Sequence, residues 1–93
     1  MAEFTEAIRL KPDFAEAYNN RGLIYGNMGE HDKAIADYTE AIRLKPEYAD
    51  AYYNRGIAYE KKGDKAKAAD DFNRAKDLSD NRNKAGDRSG ALR

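Results

Sequence analysis

The six residues AIRLKP occur at 7–12 and again at 41–46, a separation of 34 residues. The offset holds well beyond this phrase. Phe4, Tyr38 and Phe72 fall in register, as do Ala7, Ala41 and Ala75. Asn20-Arg21-Gly22 matches Asn54-Arg55-Gly56, Tyr25 matches Tyr59, and Gly29 matches Gly63. Ala34 matches Ala68, Asp37 matches Asp71, and no insertion breaks the register. A fixed period of this size specifies a solenoid: one supersecondary unit stacked on copies of itself, each burying a face that only its neighbours can cover.

Within a unit the pattern is helical. In AEAYNNRGLIYGNMG, residues 15–29, the larger side chains Tyr18, Leu23, Ile24, Tyr25 and Met28 recur at spacings near three and four, while Ala17 and Gly22 permit close helix approach. Gly29 ends this helix, since a residue without Cβ adopts the left-handed conformation that closes a helix. Glu30-His31-Asp32 opens the next, with acidic groups beside its positive end. Ala34, Ile35, Tyr38, Ala41, Ile42 and Leu44 form its apolar face, and Pro46 stops it because the residue before a proline disfavours helix. The second unit repeats this, with helices near 49–62 and 65–78 separated by Gly63. The expected organisation is a leading half-repeat over 1–14, hairpins over 15–48 and 49–80, and a polar basic tail over 81–93 that is frayed or weakly helical.

These residues resemble the tetratricopeptide repeat, whose pattern is W-x2-L-G-x2-Y…A-x3-F…P. The first copy offers Tyr18, Arg21, Gly22, Tyr25, Ala34, Tyr38 and Pro46; the second offers Tyr52, Arg55, Gly56, Tyr59, Ala68 and Phe72. The resemblance runs from residue 3 to about residue 80 and implies an all-α fold, a right-handed α–α superhelical solenoid of helical hairpins. Three departures stand out: Tyr for Trp, Arg for Leu in both copies, and Asp80 where the last closing proline belongs. Arg21 and Arg55 either pair with Asp37 and Asp71 of the same hairpin or capture a ligand carboxylate. A matching aspartate in both repeats favours the structural pair.

Catalytic constellations are missing from this reading. The chain of 93 residues has no cysteine and one histidine, His31, at a helix start. Thiolate metal sites and Cys–His or Ser–His catalysis therefore lack their parts. Asp70 and Asp71 are adjacent on a helix and point apart. The stretch from Asp77 through Ser79 and Asn81 begins like a calcium loop, but Arg82 stands where glycine is required and Arg88 where the bidentate glutamate belongs. Gly86 and Gly90 lie in a polar segment rather than an apolar helix, so they form no membrane motif. Lys plus Arg equals Asp plus Glu at 17 each, which gives no electrostatic case for nucleic acid or a membrane surface. No cofactor and no metal are expected, and a soluble, cytoplasmic, non-enzymatic protein follows by elimination.

What remains is surface. The resemblance implies a concave groove lined by the first helix of each hairpin, holding an extended peptide or a partner helix. Carried over by position, the groove takes Glu16, Asn19, Asn20, Leu23 and Asn27 from the first copy, and Asp50, Tyr53, Asn54, Ile57 and Lys61 from the second. Asn20 and Asn54 are the strongest candidates, because an amide both donates to and accepts from a peptide backbone. A subset of the family clamps a C-terminal carboxylate with basic residues; Glu16 and Asp50 stand where that charge would be, which speaks against it. The rival reading is a self-assembling unit or a segment of a longer or designed array. Its self-association edges would be Phe4 and Ile8, which pack with Leu10 on the following helix, and Phe72 and Leu78 at the other end. Ala85, Ala91 and Leu92 are too few to cap that end, and uncapped solenoid ends associate.

Overall fold

A computed structural model describes the backbone of residues 2–91 and the side chains of residues 3–81. Five helices follow one another: α1 (Ala2–Leu10), α2 (Ala15–Asn27), α3 (His31–Leu44), α4 (Ala49–Lys62) and α5 (Lys65–Ala91). No strand occurs among the described residues. Each helix packs on its successor, and α2 also touches α4. That nearest-neighbour pattern is the all-α solenoid expected from the period.

The punctuation acts where the sequence places it. Gly29 and Gly63 adopt positive φ angles of 81° and 88° just past α2 and α4. There the Glu30 and Asp64 N–H groups donate back to the Tyr25 and Tyr59 carbonyls at 2.8 and 2.9 Å, satisfying carbonyls that a helix end leaves open. Lys45 is extended, with φ −140° and ψ 86°, as a residue before proline must be. The helix expected to stop near residue 78 instead continues to Ala91. Asp80 holds the position of Pro12 and Pro46, so the backbone keeps its N–H and nothing interrupts the helical ladder. The side chains of Ala85, Ala91 and Leu92 lie outside the described residues.

The core is built from small residues. Ala15, Ala17, Ala34, Ala41, Ala49, Ala51, Ala58, Ala68 and Ala75 are buried, and Tyr38 is the one large apolar residue among them. Its ring lies on Gly22: a Cβ there would fall 2.6 Å from the Tyr38 ring, and one on Gly56 would fall 2.7 Å from the Phe72 ring. Each hairpin thus closes as an aromatic ring pressed on bare backbone. Leu10 departs from expectation; it is 70% exposed and does not join Phe4 and Ile8, which are half-buried.

The next residue on each helix adds an ion pair. Arg21 donates from Nε and Nη2 to the Asp37 carboxylate, both at 2.8 Å, and Arg55 donates to Asp71 at 2.8 and 2.9 Å. Both aspartates are buried, and the two-bond fork matches guanidinium to carboxylate geometry. Each guanidinium also sits over two tyrosine rings, Tyr18 and Tyr25 for Arg21, Tyr52 and Tyr59 for Arg55. Hydrogen bonding to the aspartate holds each arginine above its usual pKa, against the lowering effect of burial. These arginines are committed to the hairpin.

Two outcomes follow for stability. Gly22→Ala forces the packed Tyr38 ring to move, costing about 1–3 kcal/mol against a helix-propensity gain of about 1 kcal/mol. Gly26→Ala meets only the Tyr38 hydroxyl at 3.9 Å and keeps the gain. Thermal denaturation should place Gly22→Ala below the wild type and Gly26→Ala at or above it, with Gly56→Ala less harmful than Gly22→Ala because Phe72 has an open side. Arg21→Ala strands a buried carboxylate and should cost about 3 kcal/mol or more. The double variant Arg21→Met, Asp37→Leu should recover most of that loss in chemical denaturation.

Candidate functional site

A period of 34 residues sets equivalent positions of α2 and α4 side by side on one face. Leu23 and Ile57 are one such pair, and Asn27 and Lys61 another. These four, with Gly26, Asn54, Ala58, His31 and Tyr38, line a cavity of about 180 Å³. Tyr38 and Ala58 are buried, whereas Leu23 is 41% exposed. The lining is therefore mainly apolar, with amide and ammonium groups from Asn27, Asn54 and Lys61 among it.

The remaining expected groove residues divide. Asn19 is buried, and its Oδ1 accepts from the Asn54 Nδ2 at 3.0 Å, bridging α2 to α4. Asn54 thus spends one donor on the fold and keeps a second N–H and its carbonyl oxygen. Asn20 is exposed and lies outside the cavity. Glu16 is exposed and pairs with Lys45 at 3.4 Å; hydrogen bonding to its own backbone N–H at the start of α2 holds its carboxyl below the usual range. Asp50 and Tyr53 belong to a second cavity of about 310 Å³, lined also by Ala49, Phe72, Ala75, Lys76 and Ser79. The Tyr53 and Phe72 rings meet there at 5.5 Å and a 50° tilt. Leu78 lines a neighbouring hollow with Lys45, Glu47 and Tyr48. Phe72 and Leu78 thus border open hollows on the α5 side.

His31 and Tyr38, both on α3, escape a reading based on the first helix of each hairpin, while Gly26 and Ala58 lie on α2 and α4 but carry no polar group to single them out. His31 opens α3 yet reaches the cavity, and its Nδ1 is buried with no hydrogen-bond partner. The signal was its place in the tight turn after Gly29, which returns the chain to the α2 side. Tyr38 reaches the cavity because only glycine stands between its ring and α2. Burial, and secondarily Asp37, pushes the Tyr38 phenol up to about 12. No group of three or more His, Cys, Asp or Glu able to hold a metal ion occurs among the described residues. Nor is any described helix long and apolar enough to cross a membrane.

Comparison with known proteins gives concordant matches. Residues 27–63 match a family described as TPR repeat, and residues 3–36 and 49–81 match families described as Tetratricopeptide repeat. Two similar solved structures are described as a crystal structure of MamA and a crystal structure of MamA protein. The first is 41% identical with a TM-score of 0.84, over 87% of this chain and 47% of that one. The second is also 41% identical, with a TM-score of 0.79, over 87% of this chain and 44% of that one. The chain spans about half the length of the structures it matches. No curated protein matches its sequence.

The Tyr38 phenol gives the site a pH signature. Its folded pKa of about 12 exceeds the ordinary 10.0, so the folded state holds this proton more tightly than the unfolded chain. That contribution is complete below pH 10 and is lost as the pH rises towards 12. Thermal midpoints should fall across this window, and Tyr38→Phe should flatten the fall; a smaller slope of the same sign remains from Tyr48, which burial also raises.

Proposed function

The chain belongs to the tetratricopeptide-repeat family, and we propose that it is a non-catalytic scaffold holding an extended peptide or a partner helix on its α2–α4 face. The observation that carries this reading is the cavity between Leu23 and Ile57. Its volume of about 180 Å³ is small beside the roughly 300–1,000 Å³ of small-molecule sites, and suits a single aliphatic side chain of a longer ligand. Around that anchor the rim offers backbone-directed groups. The uncommitted N–H and carbonyl of the Asn54 amide, the Asn27 amide and the Lys61 ammonium all border the same opening. Main-chain contacts supply affinity and the apolar anchor supplies selectivity, as in other peptide grooves.

Selection of a displayed random-peptide library on the wild-type chain should recover peptides sharing an aliphatic residue. Their affinity for the Leu23→Lys, Ile57→Lys double variant should fall at least tenfold with helicity unchanged by circular dichroism. Equal binding by both proteins would remove this face from consideration.

A further inference from the structure

We propose that the α2–α4 face selects an acidic segment: an extended peptide that seats an aliphatic side chain between Leu23 and Ile57 and carries an aspartate or glutamate two residues away, against Lys61. The inference names the ligand chemistry of the peptide-binding face and rests on that reading.

Charge complementarity carries the first step. Among the described residues, the cavity lining holds one ammonium, from Lys61, and no carboxylate. Its other polar side chains are the Asn27 and Asn54 amides, the Tyr38 phenol and the His31 imidazole, whose Nδ1 is buried. The Asn54 amide keeps an N–H beyond the one it gives to Asn19. The Tyr38 phenol, pushed up to about 12 by burial, stays neutral and repels no anion. One cation and several donors, with no acid among them, suit a ligand carboxylate.

The acids around Lys61 leave it unclaimed. Lys61 is exposed and forms no ion pair among the described residues. Asp32, at the start of α3, pairs with Lys62 instead. Asp64 pairs with Lys67 at 3.9 Å, and Glu60, the preceding residue on α4, points about 100° away. A helix C-terminus also attracts cations, yet carbonyls at the end of α4 are already taken. Tyr59 accepts from the Asp64 N–H at 2.9 Å, and Glu60 accepts from the Gly63 N–H at 3.0 Å. Lys61 therefore brings a free positive charge to an apolar opening.

Spacing carries the second step. Ile57 and Lys61 are four residues apart on α4, as Leu23 and Asn27 are on α2. Anchor and cation thus share a face and stand about 6 Å apart along the helix axis. An extended chain lying along the furrow between α2 and α4 advances about 6.6 Å in two residues and returns its side chain to the same side. The acid therefore falls two places from the aliphatic residue, after it in one chain direction and before it in the other. A residue one place away points off the wall. Towards the opposite end of the furrow, the first turns of α2 and α4 carry Glu16 and Asp50, where a ligand acid meets like charge.

Selection of a displayed peptide library on the wild-type chain should return peptides in which Asp or Glu is enriched two positions from the shared aliphatic residue. A recovered peptide, synthesised with an amidated C-terminus, should lose about two- to fivefold in affinity when its acid becomes the matching amide, the worth of a partly exposed ion pair. That loss should shrink in high salt and vanish in Lys61→Met, with helicity unchanged by circular dichroism. Lys61→Glu should invert the preference, favouring the same peptide with lysine in place of its acid. Moving the acid by one position should cost as much as the amide. Peptides that bind the Leu23→Lys, Ile57→Lys variant as well as the wild type would overturn the peptide-binding reading and this inference together. Peptides that need those two residues yet bind equally in acid and amide forms, or only with a free C-terminal carboxylate, would overturn this inference alone.

Discussion

The contact on which the structure depends is an aromatic ring pressed against a glycine. Tyr38 against Gly22, and Phe72 against Gly56, bring two helices closer than any side chain at the glycine position would permit. Close approach alone leaves rotation and sliding undetermined, because a ring on bare backbone has no lateral feature to engage. The adjacent residues supply that feature. Arg21 precedes Gly22 and Asp37 precedes Tyr38, so a two-bond guanidinium–carboxylate fork forms beside each ring. Two dipeptides per hairpin thus set distance by sterics and register by hydrogen-bond geometry. The arginine that replaces the usual leucine of the repeat acts here as a lock, with its stem and flanking tyrosines retaining the apolar cover.

Much of this arrangement was legible in the residues. The period, the glycine and proline stops and the Arg–Asp offset are local signals, and local signals survive folding because each is satisfied within one hairpin. The site was less legible. Positional resemblance placed Asn19 and Asn20 alike on the binding face, but Asn19 faces α4 and is buried by it, while Asn20 stands clear of the cavity. Neighbouring helical residues differ by about 100° in direction, so a slot assigned to a face still needs its partner helix before its role is known. His31 was missed for the converse reason: it shares the cavity with residues of α2 and α4, and its place in the turn after Gly29 is the single local hint of them.

The end of α5 is governed by a missing signal. A polar, proline-free stretch with few apolar residues carries little periodicity, so residues 81–93 are expected to be frayed or weakly helical. With Asp80 in place of proline the backbone keeps its N–H, so the helical ladder of α5 is not broken there. The change converts a turn into a rod.

Comparing equivalent positions also separates what a repeat encodes from what its neighbour confers. Ala15 and Ala49, Ala17 and Ala51, Ala34 and Ala68, and Ala41 and Ala75 are buried in both copies, because the hairpin and the helix before it cover them. Positions 19 and 53, and 38 and 72, differ in burial although they share register, and both face the side where the next unit stacks. Exposure at Tyr53 and Phe72 is thus a property of position in the array rather than of the residues. The same reasoning applies to the cavity at Leu23 and Ile57. It exists only because two first helices stand one period apart, so a single hairpin of this sequence would have some of the lining residues without the cavity.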